Sequence, residues 1–396
     1  MSGENPSFPS AMISWCRAAG VVVLKGVLLF LLLNLLLYLV SLAMRPKRAA
    51  DPLSRYGSDK LQKAYPGWQG EDVRTLIRET FRDMAFEYEP FTGFRNTPFR
   101  GKYVNIDPAG FRFSKDQASW PPPQGATNIF VFGGSTALGV GLPDDETIAS
   151  HLLECAPANR SHLAVYNFGR SYYFSSQELI LFQSLLNAGF VPQVAVFIDG
   201  INDFGTPDGQ PAFGANFRRF MAAQAGPSLL YNLPVVWAAH RLRDHWRKPQ
   251  PLKATDYADP AALQRVIDRW LANKRMIELM ASGFGVRTIF VWQPAPMYKY
   301  DFRYDPFPAE DFGTNRRAEY GYPLMENLRA QGKLGDNVLW LADMQQNKHE
   351  NLYVDSFHYT AAFSKEIAAQ ICGFLLEHPQ SADYRPKSAA VSTKRQ

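Results

Sequence analysis

The sequence predicts an α/β protein in three layers, α/β/α, with a mainly parallel sheet of about five strands behind an N-terminal transmembrane helix. From residue 125 onward, short apolar runs alternate with longer amphipathic stretches, a pattern typical of parallel strands joined by helices. The runs are continuously apolar, as expected for strands covered on both faces. The chain has 396 residues, 46% of them hydrophobic, which is enough for such a core.

The transmembrane segment is the apolar run at 26–44. Its sequence, GVLLFLLLNLLLYLVSLAM, has no charge in nineteen residues and contains one amide, Asn34. Because a helix of about 20 apolar residues crosses a bilayer, we predict a single uncleaved anchor. A buried core helix is one alternative. A cleaved signal peptide is the stronger alternative, since Ser41-Leu42-Ala43 has the small-residue form of a cleavage site.

The charges beside the span bear on its orientation. Two basic residues, Arg17 and Lys25, precede it, and six follow it: Arg45, Lys47, Arg48, Arg55, Lys60 and Lys63. The positive-inside rule taken alone keeps the C-terminal domain in the cytoplasm.

Between the span and the sheet we expect a linker and a packed extension, after an N-terminal segment at 1–25. The linker is the basic, polar stretch 45–65, and the extension is 66–124. The extension has helical spacing at 71–86, followed by aromatic stretches punctuated by Gly and Pro that predict short strands and turns. The proline run at 121–123 marks its end, since proline blocks both helix and ladder pairing.

The main domain is predicted at 125–377, and a basic, disordered tail at 378–396. The predicted strands are 128–132, 163–168, 194–198, 286–292 and 337–341. The predicted helices are 146–155, 176–188, 261–280 and 361–376. Two aromatic-rich insertions, 203–259 and 297–334, interrupt the alternation, and we expect them to shape a substrate cleft.

Composition excludes several other classes of function. The net charge of +5 is spread along the chain, and no basic block is interleaved with aromatics, so no nucleic-acid partner is expected. The three cysteines, Cys16, Cys155 and Cys372, form neither a disulfide framework nor a metal-ligand pattern. No metal and no organic cofactor is implied, and protein partners are unknown.

The residues that carry chemistry follow predicted strands. Ser135 comes directly after the first strand in Gly133-Gly134-Ser135-Thr136-Ala137, which is close to a G-x-S-x-G nucleophile turn. Asp355 and His358 follow the last strand. A hydroxyl becomes a good nucleophile only when a base takes its proton and a carboxylate orients that base. The carboxyl ends of parallel strands meet at one edge of a sheet, so we expect these groups to converge.

Four blocks in order resemble the SGNH (GDSL-like) hydrolase superfamily, in its membrane-anchored bacterial form. The resemblance covers about 125–377, which implies a flavodoxin-like sheet. The first block is Gly133-Gly134-Ser135, with Gly in place of the usual Asp. The other three supply Gly169, Asn202 and the Asp355–His358 pair.

The resemblance implies a catalytic triad in which Ser135 attacks an ester carbonyl, His358 is general base and then acid, and Asp355 orients it. It implies an oxyanion hole made by the backbone N–H groups of Ser135 and Gly169 and the Asn202 amide. Asp199 and Asp203 are expected to brace the Asn202 loop. Arg170 is expected to contact either an anionic substrate group or a surface carboxylate.

We therefore predict a serine ester hydrolase, a deacylase or esterase, that acts on an O-acylated carbohydrate or small ester at the membrane. Related membrane-attached proteins work in cell-envelope glycan systems, which implies an extracytoplasmic, periplasmic domain, against the count of positive charges. Three alternatives stay open. The first is an O-acyltransferase that modifies an envelope glycan, and the second is a non-catalytic envelope scaffold with the same fold. The third is a lipase that acts on bilayer lipids, which the membrane anchor would favour.

Overall fold

The computed structural model describes residues 8–43, 55–154, 163–214, 233–246, 255–307 and 309–377. The chain forms two compact units. One contains residues 1–49 and 215–255, and the other contains residues 50–214 and 256–396. Residues 45–54 of the predicted linker and the predicted tail at 378–396 lie outside the described residues.

The first unit begins with helix α1, Phe8–Ala43. Its stretch Met12–Ala43 is long and apolar enough to cross a membrane, a test that a signal sequence near the N-terminus also passes. Most large apolar side chains of this helix are exposed. The second described element of this unit is a helix of the 203–259 insertion, Pro234–Trp246, which is α8 in chain order.

The second unit begins with helix α2, Ser58–Ala64, which lies within the predicted linker 45–65 and buries Leu61 and Ala64. In the extension, helix α3, Gly70–Arg78, precedes a π-helical turn at Glu79–Asp83. Two short antiparallel pairs follow: β1, Phe86–Glu87, with β2, Arg95–Asn96, and β3, Phe99–Arg100, with β4, Asn105–Ile106. The predicted helix 71–86 is therefore too long. The chain leaves the helix after Asp83 because Phe86 and Glu87 pair with β2.

The main domain alternates strands and helices as predicted. In chain order its elements are β5 Thr127–Gly133, α4 Ser135–Leu138, α5 Ile148–Leu153, β6 Leu163–Asn167, α6 Ser175–Asn187, β7 Val194–Asp199, α7 Ile201–Gly205, α9 Pro260–Phe284, β8 Arg287–Trp292, α10 Ala318–Ala330, β9 Val338–Trp340 and α11 Ala361–Glu377. Helix α9 is well delimited: Asp259 accepts a hydrogen bond from the Ala261 N–H, and Gly285 ends the helix in the left-handed region.

The five long strands form one parallel sheet in the order β6-β5-β7-β8-β9. This is the flavodoxin-like order, and the predicted fold class is confirmed. The chain goes from β5 to β6 on one side and then returns to β7 on the other side, so the direction of strand addition reverses at β5. In such sheets a crevice forms at that point, outside the carboxyl ends of the strands, and ligands bind there.

The two faces of the sheet bury different side chains because side chains alternate along a strand. One face presents Phe132, Phe197 and Phe290 to helices α6 and α9. The other face presents aliphatic residues such as Val131 and Val196 to helices α5 and α11. The aromatic rings stack across strands: Phe132 lies 4.8 Å from Phe197, and Phe197 lies 5.2 Å from Phe290.

The cysteines differ from expectation in one respect. Cys372, on α11, is disulfide-bonded, whereas Cys16 is a free cysteine. Cys155 lies outside the described residues. The sequence spacing did not indicate this bond, because pairing depends on which cysteines lie close together in the folded chain.

We expect Phe197→Ala to lower the free energy of unfolding by about 3–5 kcal/mol, because it removes a fully buried ring stacked on both sides. Chemical denaturation of the detergent-solubilised chain, followed by tryptophan fluorescence, measures the change. Met276→Ala, on the exposed face of α9, is the control and should shift it by less than about 0.5 kcal/mol. Equal effects of the two substitutions would contradict the role assigned to the stack.

Candidate active site

The predicted nucleophile lies at the start of α4, immediately after β5. Gly133 has φ 151°, and a Cβ there would lie 2.5 Å from the Ala137 Cβ and 2.8 Å from the Ile198 carbonyl oxygen. A Cβ at Gly134 would lie 2.1 Å from Asn202 Nδ2. Both glycines are therefore needed, the first for the turn and the second for the approach of Asn202. Ser135 itself is half-buried.

Asp355 and His358 form a tight pair in the loop before α11. Asp355 Oδ2 lies 2.7 Å from His358 Nδ1, and Asp355 Oδ1 accepts the backbone N–H groups of Phe357 and His358, each at 2.9 Å. Because a carboxylate only accepts, Nδ1 donates in this pair, which leaves Nε2 as the nitrogen able to take a proton. Within the described residues, no direct hydrogen bond joins Ser135 Oγ to this ring; such bonds often tighten only when substrate binds.

The ionisation of Asp355 suits an orienting role. Burial favours the neutral acid, but the charge of His358 and the hydrogen bonds from His358 and Phe357 outweigh it and lower the pKa of Asp355. Asp355 therefore stays a carboxylate in a dry environment. A carboxylate there stabilises an imidazolium on His358.

The other predicted oxyanion donors, Asn202 and Gly169, differ in whether an N–H hydrogen is left for a substrate oxygen. Asn202 Nδ2 donates to the Tyr173 carbonyl oxygen at 2.7 Å, which holds the amide beside Gly134 and leaves its second hydrogen for another acceptor. The Gly169 N–H instead donates to Asn167 Oδ1 at 3.0 Å. A Cβ on Gly169 would lie 2.4 Å from the Leu138 nitrogen, so glycine is required there by close packing against α4.

Gln293, which the sequence did not single out, is buried and connects the turn at Ser135 to the loop that contains His358, the histidine loop. Its Oε1 accepts the Thr136 hydroxyl at 2.6 Å and the Tyr359 hydroxyl at 3.3 Å. Tyr359 also donates to the Pro294 carbonyl oxygen at 2.7 Å. The only signal in the sequence is an amide directly after an apolar strand, at the same sheet edge as Ser135.

The N-terminal extension also holds the site. Arg112 is 1% exposed and donates to the carbonyl oxygens of Leu138, Gly139 and Leu142 at 3.0, 2.6 and 2.5 Å, besides pairing with Asp144 at 2.9 Å. It therefore fixes the loop that follows the nucleophile helix.

Residues of the extension and of the predicted linker also reach the histidine loop. The Phe81 ring lies edge-on to the His358 ring at 6.2 Å, and the Tyr56 hydroxyl lies 2.7 Å from Ser356 Oγ. Arg170 is buried and pairs with Glu89 of the extension, and it also donates to the Tyr173 hydroxyl at 2.9 Å. Arg170 therefore joins the extension to the main domain, and its partner is a carboxylate that remains partly exposed.

Three buried carboxyl groups lie behind Asn202. Asp203 accepts the Ser175 hydroxyl at 2.6 Å, and Asp199 accepts the Trp270 indole N–H at 3.0 Å. Glu178, which the sequence did not single out, lies within hydrogen-bond reach of Asp199, so the two carboxyl groups can share a proton. Burial raises the pKa of Glu178 well above its ordinary value, and the charges of Asp199 and Asp203 raise it further. Burial and the charge of Asp203 raise the pKa of Asp199 to about 8.

The insertion 297–334 contributes another carboxyl group near the Asp355–His358 pair. Asp305 accepts the Phe307 N–H at 2.8 Å, and its second oxygen is buried without a partner. Burial raises the pKa of Asp305 to about 7, and the charge of Asp355 contributes to the rise. The Phe312 ring contacts the Phe357 ring at 5.5 Å, so the insertion packs directly on the histidine loop.

Comparison with known proteins gives fold-level similarity. No family model matches the chain, and no curated protein matches it. Among solved structures, a protein from Desulfitobacterium hafniense assigned to the G-D-S-L family of lipolytic proteins is 10% identical, with a TM-score of 0.34, over 63% of this chain and 99% of that one. A protein of Agrobacterium tumefaciens assigned as an arylesterase is 11% identical, with a TM-score of 0.36, over 63% and 99%.

A third solved structure, a Bacteroides fragilis protein assigned as an acylhydrolase, is 12% identical, with a TM-score of 0.34, over 65% of this chain and 89% of that one. The assignment of the site therefore rests on the geometry of this chain.

The raised pKa of Asp199 predicts how stability depends on pH. An acid whose pKa is higher when folded than when unfolded stabilises the fold below its unfolded pKa, near 3.9. That contribution falls as pH rises and is lost above the folded pKa of about 8. Asp199→Asn keeps an acceptor for Trp270 but cannot ionise. We expect the variant to gain stability relative to wild type between about pH 5 and 8, by at most about 1.4 kcal/mol per pH unit.

Chemical denaturation of both proteins across this pH range measures the difference. Asp268→Asn, at an exposed position on α9, is the control and should follow wild type. Parallel curves for wild type and Asp199→Asn would show that Asp199 is already ionised in the folded protein.

Proposed function

We propose that this protein is a serine-dependent ester hydrolase that acts on an O-acylated carbohydrate or small ester. The observation that carries the proposal is the Asp355–His358 pair, at 2.7 Å, whose buried carboxylate is held by two backbone N–H groups. The pair follows β9, the last strand of the sheet, and Ser135 follows β5 of the same sheet. A histidine oriented in this way, with Nε2 available, is what activation of a serine hydroxyl requires.

The residues present support a two-step reaction. Ser135 Oγ attacks the ester carbonyl carbon while His358 Nε2 takes the hydroxyl proton, and the carbonyl oxygen becomes an oxyanion. The oxyanion then collapses, the bond to the alkoxy oxygen breaks, and His358 returns the proton to the leaving alcohol. Water adds to the acyl-serine in the same manner, with His358 again as base. Release of the acid restores Ser135.

The oxyanion is best supported by two groups, the Ser135 N–H at the start of α4 and the Asn202 amide beside Gly134. Gly169 contributes in this scheme only when its N–H leaves Asn167. Arg112, Gln293 and Asp203 act on the reaction only by positioning the loops that carry the catalytic groups.

We further propose that the second unit faces an oxidising compartment outside the cytoplasm. The supporting observation is the disulfide at Cys372, since disulfides persist in secreted and periplasmic proteins and are rare in the cytosol. The excess of basic residues after the span argues for the opposite orientation. The proposal rests on the disulfide, because a cytosolic domain is expected to keep its thiols reduced.

Intact mass after incubation with a fluorophosphonate tests the nucleophile. We expect a single adduct on the detergent-solubilised wild-type chain and none on Ser135→Ala, because only a serine activated by a base attacks the phosphorus at a useful rate. Ser184→Ala, at an exposed position on α6, is the matched control and should label like wild type. Absence of an adduct on folded wild-type protein would contradict the hydrolase proposal and favour the scaffold alternative.

Thiol alkylation of the native protein in its membrane, followed by peptide mapping without reductant, tests the compartment. We expect the peptide carrying Cys372 to resist alkylation and to appear as a disulfide-linked species that reductant separates. Cys16 is the internal control, because it is a free cysteine and should alkylate after the membrane is dissolved. A fully alkylated Cys372 without reductant would place the domain in a reducing compartment.

A further inference from the structure

Asn34 is buried in a helix whose neighbouring side chains are exposed. It is 8% exposed, whereas Leu33, Leu35 and Leu36 are 43, 54 and 58% exposed. Both ends of its amide are used. Nδ2 donates to the Phe30 carbonyl oxygen at 2.9 Å, and Oδ1 accepts the Val235 backbone N–H at 3.1 Å. The residue that covers Asn34 is therefore the second residue of helix α8.

The hydrogen bond to Asn34 completes the start of α8. The first turn of a helix leaves backbone N–H groups without partners inside the helix. Pro234 has no N–H, the Val235 N–H donates to Asn34, and the Val236 N–H donates to the Leu233 carbonyl oxygen at 3.0 Å. The first three positions of α8 thus leave no free donor. In water a free backbone N–H can bond to solvent, but in hydrocarbon each N–H needs a partner within the protein.

The position of Asn34 lies deep in the predicted span. It is eight residues after Gly26 and ten before Met44, the ends of the charge-free run. At about 1.5 Å per residue those distances are about 12 and 15 Å, which is near the middle of a bilayer core about 30 Å thick. An amide at this depth needs a partner, and the N-terminus of α8 supplies one.

The sequence of α8 fits a helix that begins near the middle of the bilayer and ends at its surface. Residues 233–239 read LPVVWAA and carry no charge, and the second half contains Arg241, Arg243 and Asp244. Thirteen residues of helix extend about 20 Å, which is about the distance from the middle of a bilayer to its headgroups. The charged half of α8 would therefore reach the polar interface.

We propose that α1 is retained in the mature protein and that α8 re-enters the bilayer and docks on α1 at Asn34. The insertion 203–259 then holds the chain to its own membrane helix independently of the linker. A cleaved signal peptide does not explain this pairing, because cleavage after Ala43 would remove the acceptor of the Val235 N–H. The two helices also belong to one compact unit.

A cut in the linker of the full-length, membrane-embedded protein tests this docking. A recognition site for a sequence-specific protease is inserted between Ala49 and Ala50, and isolated membranes are cut and washed at high salt. We expect the fragment after the cut, which contains α8, to stay in the membrane pellet. We expect Asn34→Leu, which keeps the span apolar, to raise the ratio of released to retained fragment about threefold or more, because one interhelical hydrogen bond is lost.

Leu32→Ala is the matched control. It is a single substitution at an exposed position of α1, close to Asn34, and its fragment should stay bound. Release of the wild-type fragment on cutting would overturn the docking. Equal retention of wild type and Asn34→Leu would overturn the role of Asn34. A mature N-terminus at or after residue 44 in the uncut protein would overturn retention of the anchor.

Discussion

Stacking of phenylalanine rings across neighbouring strands is the interaction on which the rest of the second unit depends. Phe168, Phe132, Phe197 and Phe290 form a continuous row, with successive ring centroids 5.8, 4.8 and 5.2 Å apart and interplanar angles below 20°. A slip of one residue in any strand would turn its ring to the opposite, aliphatic face, so the row determines the register. Because the register is determined, the carboxyl ends of the strands are aligned, and the candidate catalytic groups follow these ends.

The site is kept in place by polar contacts that are expensive to bury. Arg112 satisfies three carbonyl oxygens of the loop after the nucleophile helix, and Gln293 joins that helix to the histidine loop. A buried polar group costs stability unless it is hydrogen-bonded, and these two groups are bonded from several elements at once. Their removal would leave carbonyl and hydroxyl groups of the site without partners, which is why they position the site as well as stabilise the fold.

Two carboxyl groups at the same sheet edge show how the environment sets ionisation. Asp355 and Asp199 are both buried, yet the pKa of the first is lowered and that of the second is raised to about 8. The difference is the partner: Asp355 faces His358 and two backbone N–H groups, whereas Asp199 faces one indole N–H and the carboxyl groups of Glu178 and Asp203. The first is thus suited to stabilise a cation, and the second to hold a proton.

Local patterns were enough to predict the order of strands and helices, the long apolar helix, and Ser135, Asn202 and the Asp355–His358 segment as candidates, because these signals are periodic or lie within a few residues of one another. Four features appear only when the chain is folded: the Gly169 N–H bonds Asn167, Gln293 joins two loops, Cys372 has a disulfide partner, and Asn34 meets Val235. Each of these contacts depends on the exact position of a neighbour. Long-range contacts join elements far apart in the chain, and no local pattern records which elements meet or which atoms remain available when they do.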